Sequence, residues 1–202
     1  MEEIITIIKL STLSVVIGFV IDLIVGDPHF LLHPVVLIGK FIAILEKIFR
    51  KILPKNKLGE RWAGGFTAIL TIIFSTIVPL AILYFAYKFN IYVYLFIESV
   101  MSWQILATKS LKTESMKVYK ELQKGDIAAA RVAVSMIVGR DTENLDEKQI
   151  VKAAVETVAE NTSDGVIAPL IFLILGGAPF GFLYKAINTL DSMIGYKNEK
   201  YR

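Results

Sequence analysis

The sequence predicts an all-α, polytopic integral membrane protein with three transmembrane helices, an interfacial amphipathic helix, a helical cytoplasmic cap and a broken apolar re-entrant hairpin. Three observations predict it. Hydrophobic residues make up 54% of the 202 and mean hydropathy is +0.58, far more apolar than an ordinary soluble chain. Apolar runs approach or exceed the roughly 20 residues that a helix needs to cross the hydrocarbon. Basic residues gather between two of these runs, which orients the chain.

Ile4 to Val25 is the first span, apolar apart from Lys9, Asp22 and small hydroxylated residues. Its acidic start at Glu2 and Glu3, with no small-residue cleavage site after the apolar run, does not read as a cleavable signal. Gly26-Asp27-Pro28 ends the span, because proline disfavours helix in the residue before it and glycine frees the turn. Asp22 lies one turn inside that end, either as a functional ionisable group or as a side chain snorkelling to the interface. His33-Pro34 opens the next helix with proline at its favoured first position. His29 and His33 are the only histidines and there are no cysteines, so a zinc set is incomplete and thiol or disulfide chemistry is excluded.

From Val35 to Leu53, the polar residues Lys40, Glu46, Lys47, Arg50 and Lys51 recur at helical spacings and leave a broad apolar face. That pattern predicts the interfacial helix, over 34–53, its basic edge turned to anionic lipid headgroups. Lys55, Lys57 and Arg61 continue the basic stretch, Trp62 suits the interface, and Ala63 to Tyr87 is the second span, with Pro79 as a kink point. After Lys88-Phe89-Asn90, the run from Ile91 to about Leu106 is the third span. It carries Glu98, which at that depth requires a partner or water. The positive-inside rule places the basic loop in the cytoplasm, with the amino terminus and the Lys88 turn outside.

Helices over roughly Thr108–Gln123, Ile127–Val138 and Leu145–Asn161 form the cap. Gly125 and Gly139 suit helix C-termini, Asp126 suits an N-cap, and Asn144 with Glu147 resembles a capping box. Val166 to Phe182 is apolar, but Pro169 and Gly176-Gly177-Ala178-Pro179 divide it into pieces too short for a regular span. A re-entrant hairpin there returns Asn188-Thr189-Leu190-Asp191-Ser192-Met193 to the side that holds residues 156–164. Irregular backbone at membrane depth must then be buried in protein or line a wet cavity. The organisation is a membrane region over 1–107, a cap over 108–164, and a hairpin with a polar C-terminal motif over 165–202.

Val155 to Pro169 concentrates the chemistry. In a helix, Glu156 and Glu160 share one face with Lys152, and Asp164 extends it. Like charges at this spacing repel by a few tenths of a kcal/mol, so the face asks for a lysine or arginine, Mg2+ or an amine substrate, unless it is simply solvated. In Gly139-Arg140-Asp141-Thr142 the guanidinium reads as a local ion pair with its neighbour or as a phosphate contact. Net charge is +3, which gives no support for a nucleic-acid partner. No G-x-x-x-x-G-K-[ST] loop is present.

Several spaced motifs fall in a recognisable order. They are Asp22, Gly26-Asp27-Pro28, His33-Pro34-Val35, Gly39, Glu46, Leu106-Ala107, Ser110-Leu111, Gly125-Asp126 and Ala130-Arg131. The densest are Val138-Gly139-Arg140-Asp141-Thr142, Ala154 to Asn161, Asp164-Gly165, and Asn188 to Met193 with Gly195-Tyr196. Together they resemble the CobD/CbiB family of adenosylcobinamide-phosphate synthases, membrane enzymes of cobalamin biosynthesis. The resemblance implies amide formation between a propionate of adenosylcobyric acid, a corrinoid, and aminopropanol or its O-phosphate. ATP and Mg2+ are expected, at the cytoplasmic side of the cell membrane and alongside other cobalamin-pathway proteins. Under it, Glu156, Glu160, Asp164 and Asp191 form the catalytic and Mg2+-binding set, helped by Asn161, and a carboxylate such as Glu160 takes a proton from the attacking ammonium. Arg140, Asp141, Asn161, Asn188, Asp27 and His33 are the substrate-binding set, although His33 also reads as a structural His-Pro turn paired with Asp27. Family members carry a further aspartate pair, a Pro-Ala-Arg element and more membrane helices, so the chain reads as a shortened form. Two other readings are a non-catalytic membrane sensor or scaffold of the same superfamily, and a small transporter using Asp22 and Glu98, for which no two-fold hydropathy repeat speaks.

Overall fold

The computed structural model describes residues 1–28 and 33–195. His29 and the Tyr196 of the last motif lie outside the described residues. The described residues form helices joined by short loops, with no strand among them. The elements are α1 (Glu2–Val25), α2 (Pro34–Ile52), α3 (Lys57–Phe89), α4 (Ile91–Ile105), α5 (Thr108–Gln123), α6 (Ile127–Ser135), α7 (Glu147–Thr162), a π-helical turn (Ser163–Ile167) and α8 (Ala168–Ile194).

Small residues let the long helices approach. Added to Gly18 of α1, a Cβ would lie 2.7 Å from Ser102 Cβ and 2.8 Å from the Ser99 carbonyl oxygen of α4. Along α3, Gly59, Ala63, Thr67, Thr71, Ser75, Pro79 and Leu83 recur every four residues as a buried stripe. The hydroxyls of Thr67 and Thr71 are bonded back to the carbonyls of Ala63 and Thr67. Such stripes are how helices pack where lipid supplies no hydrophobic drive between them. The outer faces carry exposed Val16, Ile24, Ile69, Phe74, Ile77 and Phe85, as lipid contact requires. Among the described residues, four helices are long and apolar enough to cross a membrane: Glu2–Val25, Lys57–Phe89, Ile91–Gln123 and Glu147–Ile194. The third continues through Leu106-Ala107, and the fourth contains the segment expected to be broken.

That fourth helix folds back on itself. A continuous helix would hold residues 164 and 188 about 36 Å apart, yet Asn188 Nδ2 donates to Asp164 Oδ2 at 3.3 Å. The Phe172 and Tyr184 rings pack against each other, tilted, with centroids 5.2 Å apart. The reversal is at Gly176 and Gly177, both non-helical, the latter at φ 66°, a conformation that glycine adopts without penalty. Two arms, 168–175 and 178–194, therefore lie side by side.

Helix α2 differs from the expectation of a helix lying flat at the interface. The ring pairs Phe41–Phe74 at 4.9 Å and Phe49–Phe66 at 5.6 Å step in opposite directions along the two chains. It therefore runs antiparallel along the first half of α3, because its buried Ile38, Ile42 and Leu45 are covered by protein. Arg50 pairs with Glu46 at 3.1 Å and with Glu60 of α3 at 3.2 Å. Lys57 and Arg61, expected in a loop, belong to the first turns of α3, which Asn56 caps through Gly59 N–H.

The cap, α5 to α7, has a core of its own in Val118, Ala130, Val134, Ile150 and Ala153. Gly125 ends α5 at φ 75° and Asp126 caps α6 through Ala129 N–H. Two ends differ from the expectation. Helix α6 stops at Ser135 because the chain tightens, with Ile137 and Val138 N–H both donating to the Val134 carbonyl. The capping box of α7 is Asp146 with Gln149, in place of Asn144 with Glu147.

Candidate active site

The chain's breaks meet at one level. The end of α1 and the π-helical turn are each hydrogen-bonded to the chain around the step between α4 and α5. Proline explains the turn: Pro169 has no N–H, and in an α-helix its ring would clash with the carbonyl of Gly165. The helix widens instead, Ala168 N–H reaching back five residues to the Ser163 carbonyl. The freed Gly165 carbonyl accepts Ala107 N–H at 3.2 Å. Opposite, Asp22 Oδ2 accepts Thr108 N–H at the start of α5, at 2.8 Å. Asp27 N–H donates to Ser110 Oγ at 3.0 Å, and Trp103 Nε1–H to the Gly26 carbonyl at 2.9 Å. Lys109 Nζ donates to the Ile24 carbonyl.

Lys185, on the second arm of α8, is the centre of this level. Its residue is 8% exposed, and its ammonium lies within electrostatic reach of Asp27, Asp164 and Asp22. Asp164 accepts from Asn188 at 3.3 Å and from Tyr184 Oη at 3.4 Å, both long bonds. His33 caps α2, its Nδ1 accepting Val35 N–H at 3.2 Å. That bond puts the proton of the neutral ring on Nε2, which faces Asp27 Oδ1 at 3.9 Å. Burial pushes the imidazole below its ordinary value; Asp27 opposes the shift and Lys185 adds to it. Asp22, Asp27 and Asp164 are thus the acidic side chains within reach of Lys185. Beside Asp27 a groove of about 600 Å³ is lined by Gly26, Lys109, Ser110, Thr113, Glu114 and Lys117, among others.

The sequence-derived candidates divide into two groups. Asp27, His33, Asp164 and Asn188 belong to this level. Arg140 and Glu156 form a separate exposed ion pair on the cap at 2.9 Å, with Lys152 3.7 Å from the same carboxylate. The Arg140 hydrogen bond, with Lys152 adding to it, holds the Glu156 carboxyl below its ordinary value. Asp141 does not pair with Arg140 but accepts Glu143 N–H at 2.9 Å. That turn borders a second groove of about 510 Å³. Glu160, Asn161 and Asp191 are exposed, Asn161 donating to the Thr157 carbonyl at 3.0 Å. Asp164 does not extend the Glu156 and Glu160 face, because the wider π turn rotates it inward. Among the described residues no three carboxylate or imidazole groups gather to hold a metal ion. Lys185 and Tyr184 escaped the sequence reading. The available signal was a lysine inside an apolar segment, functional by default at membrane depth.

The family model described as CobD/Cbib protein matches residues 15–202. A "Cobalamin biosynthesis protein CobD" of Clostridium perfringens is 51% identical over 94% of this chain and 59% of its own length. The one from Clostridium acetobutylicum is 48% identical over 94% and 60%. A "Cobalamin biosynthesis protein CbiB" of Salmonella typhimurium is 44% identical over 96% and 60%. The chain thus spans about three fifths of the length of these curated relatives. No solved structure matches it.

Proposed function

This chain belongs to the CobD/CbiB family, and from that premise we propose that it serves cobalamin biosynthesis as a carbon–nitrogen ligase, joining a propionate of adenosylcobyric acid to aminopropanol or its phosphate. The observation that carries the reading is the buried Lys185 within electrostatic reach of Asp27, Asp164 and Asp22, Asp27 itself lining an open groove. Carboxylate and amine do not condense unaided in water, so the acid is first activated by phosphorylation, with ATP as the donor.

The chain's own residues divide the work. The carboxyl groups of Asp27 and Asp164 receive the amine, while Lys185 holds the anionic oxygens of the activated acid. Asp164, whose protein hydrogen bonds are long, accepts the proton that the ammonium must lose before its nitrogen attacks the acyl carbon and phosphate departs. His33, its Nδ1 committed to the helix cap, keeps Asp27 in place. The donors fit Mg2+ in its usual sparse mode, one or two carboxylates such as Asp164 and Asp27, with waters and substrate phosphates completing the shell. Bound there, Mg2+ would neutralise phosphate charge. Arg140 is free to exchange Glu156 for a substrate phosphate, since both side chains are half-exposed.

In the membrane, α1, α3 and α4 cross, and both arms of α8 enter from the side of the cap. Lys47, Arg50, Lys51, Lys55, Lys57 and Arg61 at the α2–α3 turn mark that side as cytoplasmic. The test is corrinoid amidation by the purified full-length protein, with ATP, Mg2+ and each amine supplied or omitted in turn. Product that requires the protein and ATP supports the reading. No product in any combination overturns it and leaves a sensor or scaffold of the same superfamily.

A further inference from the structure

Of the three acidic side chains within reach of Lys185, Asp22 alone has no part in the chemistry above. It does not snorkel to the interface, as a charged group one turn from a helix end can; it is fully buried, at 0% exposure. Its carboxylate serves another helix instead. Oδ2 accepts Thr108 N–H at 2.8 Å, and Lys109 N–H interacts with the same group. Helix α5 needs that acceptor, because the first N–H groups of a helix have no partner within it and its own N-cap, Ala107, makes no side-chain cap. A carboxylate in this place also meets the positive end of the helix dipole. Asp22 of α1 is thus the cap of α5, supplied from across the helix interface.

What this cap holds in place is the link between Asp27 and Asp164. Ala107 N–H donates to the Gly165 carbonyl at 3.2 Å, next in the chain to Asp164. Two residues beyond Thr108, Ser110 Oγ accepts Asp27 N–H at 3.0 Å. The start of α5 therefore ties both carboxyl-bearing segments together. It also sits tightly against the bend that carries Asp27: Gly26 is at φ 70°, and a Cβ on it would lie 3.2 Å from Lys109 Cδ. We propose that Asp22 is a positioning residue, which by capping α5 from α1 fixes the spacing between Asp27 and Asp164 within reach of Lys185. The inference rests on the reading of these groups as the reacting site. It requires of position 22 an acceptor oxygen rather than a charge, since asparagine and aspartate cap helices about equally well.

The test is steady-state amidation by the full chain, with tryptophan emission read in the same preparations after Trp62→Phe, which leaves Trp103 as the single tryptophan of the sequence. Trp103 Nε1–H donates to the Gly26 carbonyl at 2.9 Å, so its emission reports the seat of that bend without recourse to activity. Asp22→Leu, close in size but without an acceptor, lowers kcat about 100-fold, the loss expected from misplacing reacting groups by about 1 Å. It leaves the KM for the amine within about threefold and shifts Trp103 emission to the red. Asp22→Asn keeps kcat within about threefold and retains the parental emission. Should Asp22→Leu fail to fold, Ser110→Ala decides, with kcat about tenfold lower and KM within about threefold. Parental kcat in the deciding variant overturns the proposal. So does an Asp22→Asn protein as impaired as Asp22→Leu, because the charge then acts on Lys185 directly. A parent that makes no product overturns the reading of the site instead, and the emission of Asp22→Leu against Asp22→Asn still decides whether position 22 caps α5.

Discussion

The outer face of α7 and the inner face of the second α8 arm carry the main polar clusters of the end that bears the cap, the first exposed and the second buried. On α7, Glu156 is shared by Arg140 and Lys152 in the open, where an ion pair contributes little and is easily exchanged. On α8, Lys185 is buried within electrostatic reach of Asp27, Asp164 and Asp22, where a charge needs close partners. Of the carboxylates crowded in sequence, Glu156 and Glu160 thus end in solvent and only Asp164 turns in, while a lone lysine in an apolar segment organises the buried site. Crowding advertises a solvated face as readily as it does a site.

The comparison breaks most completely if the hairpin does not return Lys185 and Asn188 to Asp164. Gly177→Ala attacks that return, placing a Cβ 2.4 Å from Glu98 Oε1 at a φ of 66°. It should destabilise the fold by about 2–5 kcal/mol through overpacking and backbone strain, seen as a lowered Tm of the full-length protein. Asp164→Asn should lower amidation about 100-fold or more, the range for removing a proton acceptor. Glu160→Gln, on the exposed face, should stay within about threefold in the same assay.

His33 supplies a pH test. Its imidazole is held below its usual 6.5, so the unfolded chain protonates first as pH falls. The stability it contributes is present above that value and is lost as pH drops through the lower folded value. The Tm should fall between pH 7.5 and about 5.5, and His33→Gln should flatten that part of the profile. The smallest effect is at Arg140: Arg140→Gln should leave Tm nearly unchanged while raising the KM for a phosphorylated amine, because the guanidinium is bound only to an exposed carboxylate.

Much of the helical frame was legible because its signals are local. Thr108–Gln123 needed only periodicity and ends, and the caps at His33-Pro34, Asp126 and Gly125 are chemical statements about single residues. Where two registers competed, sequence could not choose: Asn144 with Glu147 and Asp146 with Gln149 both spell a capping box, and burial of Ile150 and Ala153 accompanies the second. The break at Gly176-Gly177 was readable as a turn, but its partner was not, since the contact between residues 164 and 188 spans 24 positions. Pro169 announced a broken helix. That it would produce a π turn, rotate Asp164 inward and free the Gly165 carbonyl for Ala107 depends on tertiary neighbours. The antiparallel seat of α2 on α3 is likewise set by facing aromatic residues, which a moment along one helix does not reveal.

The most direct measurement compares Lys185→Met with Glu156→Gln in the full-length protein, assayed side by side for ATP-dependent corrinoid amidation after both are shown to fold. Lys185→Met should lose about 100-fold or more, as when a preorganised charge facing the reacting group is removed, and Glu156→Gln should remain within about threefold of the parent. A Lys185→Met protein with near-parental activity beside an inactive Glu156→Gln would contradict the account and move the chemistry to the outer face of α7.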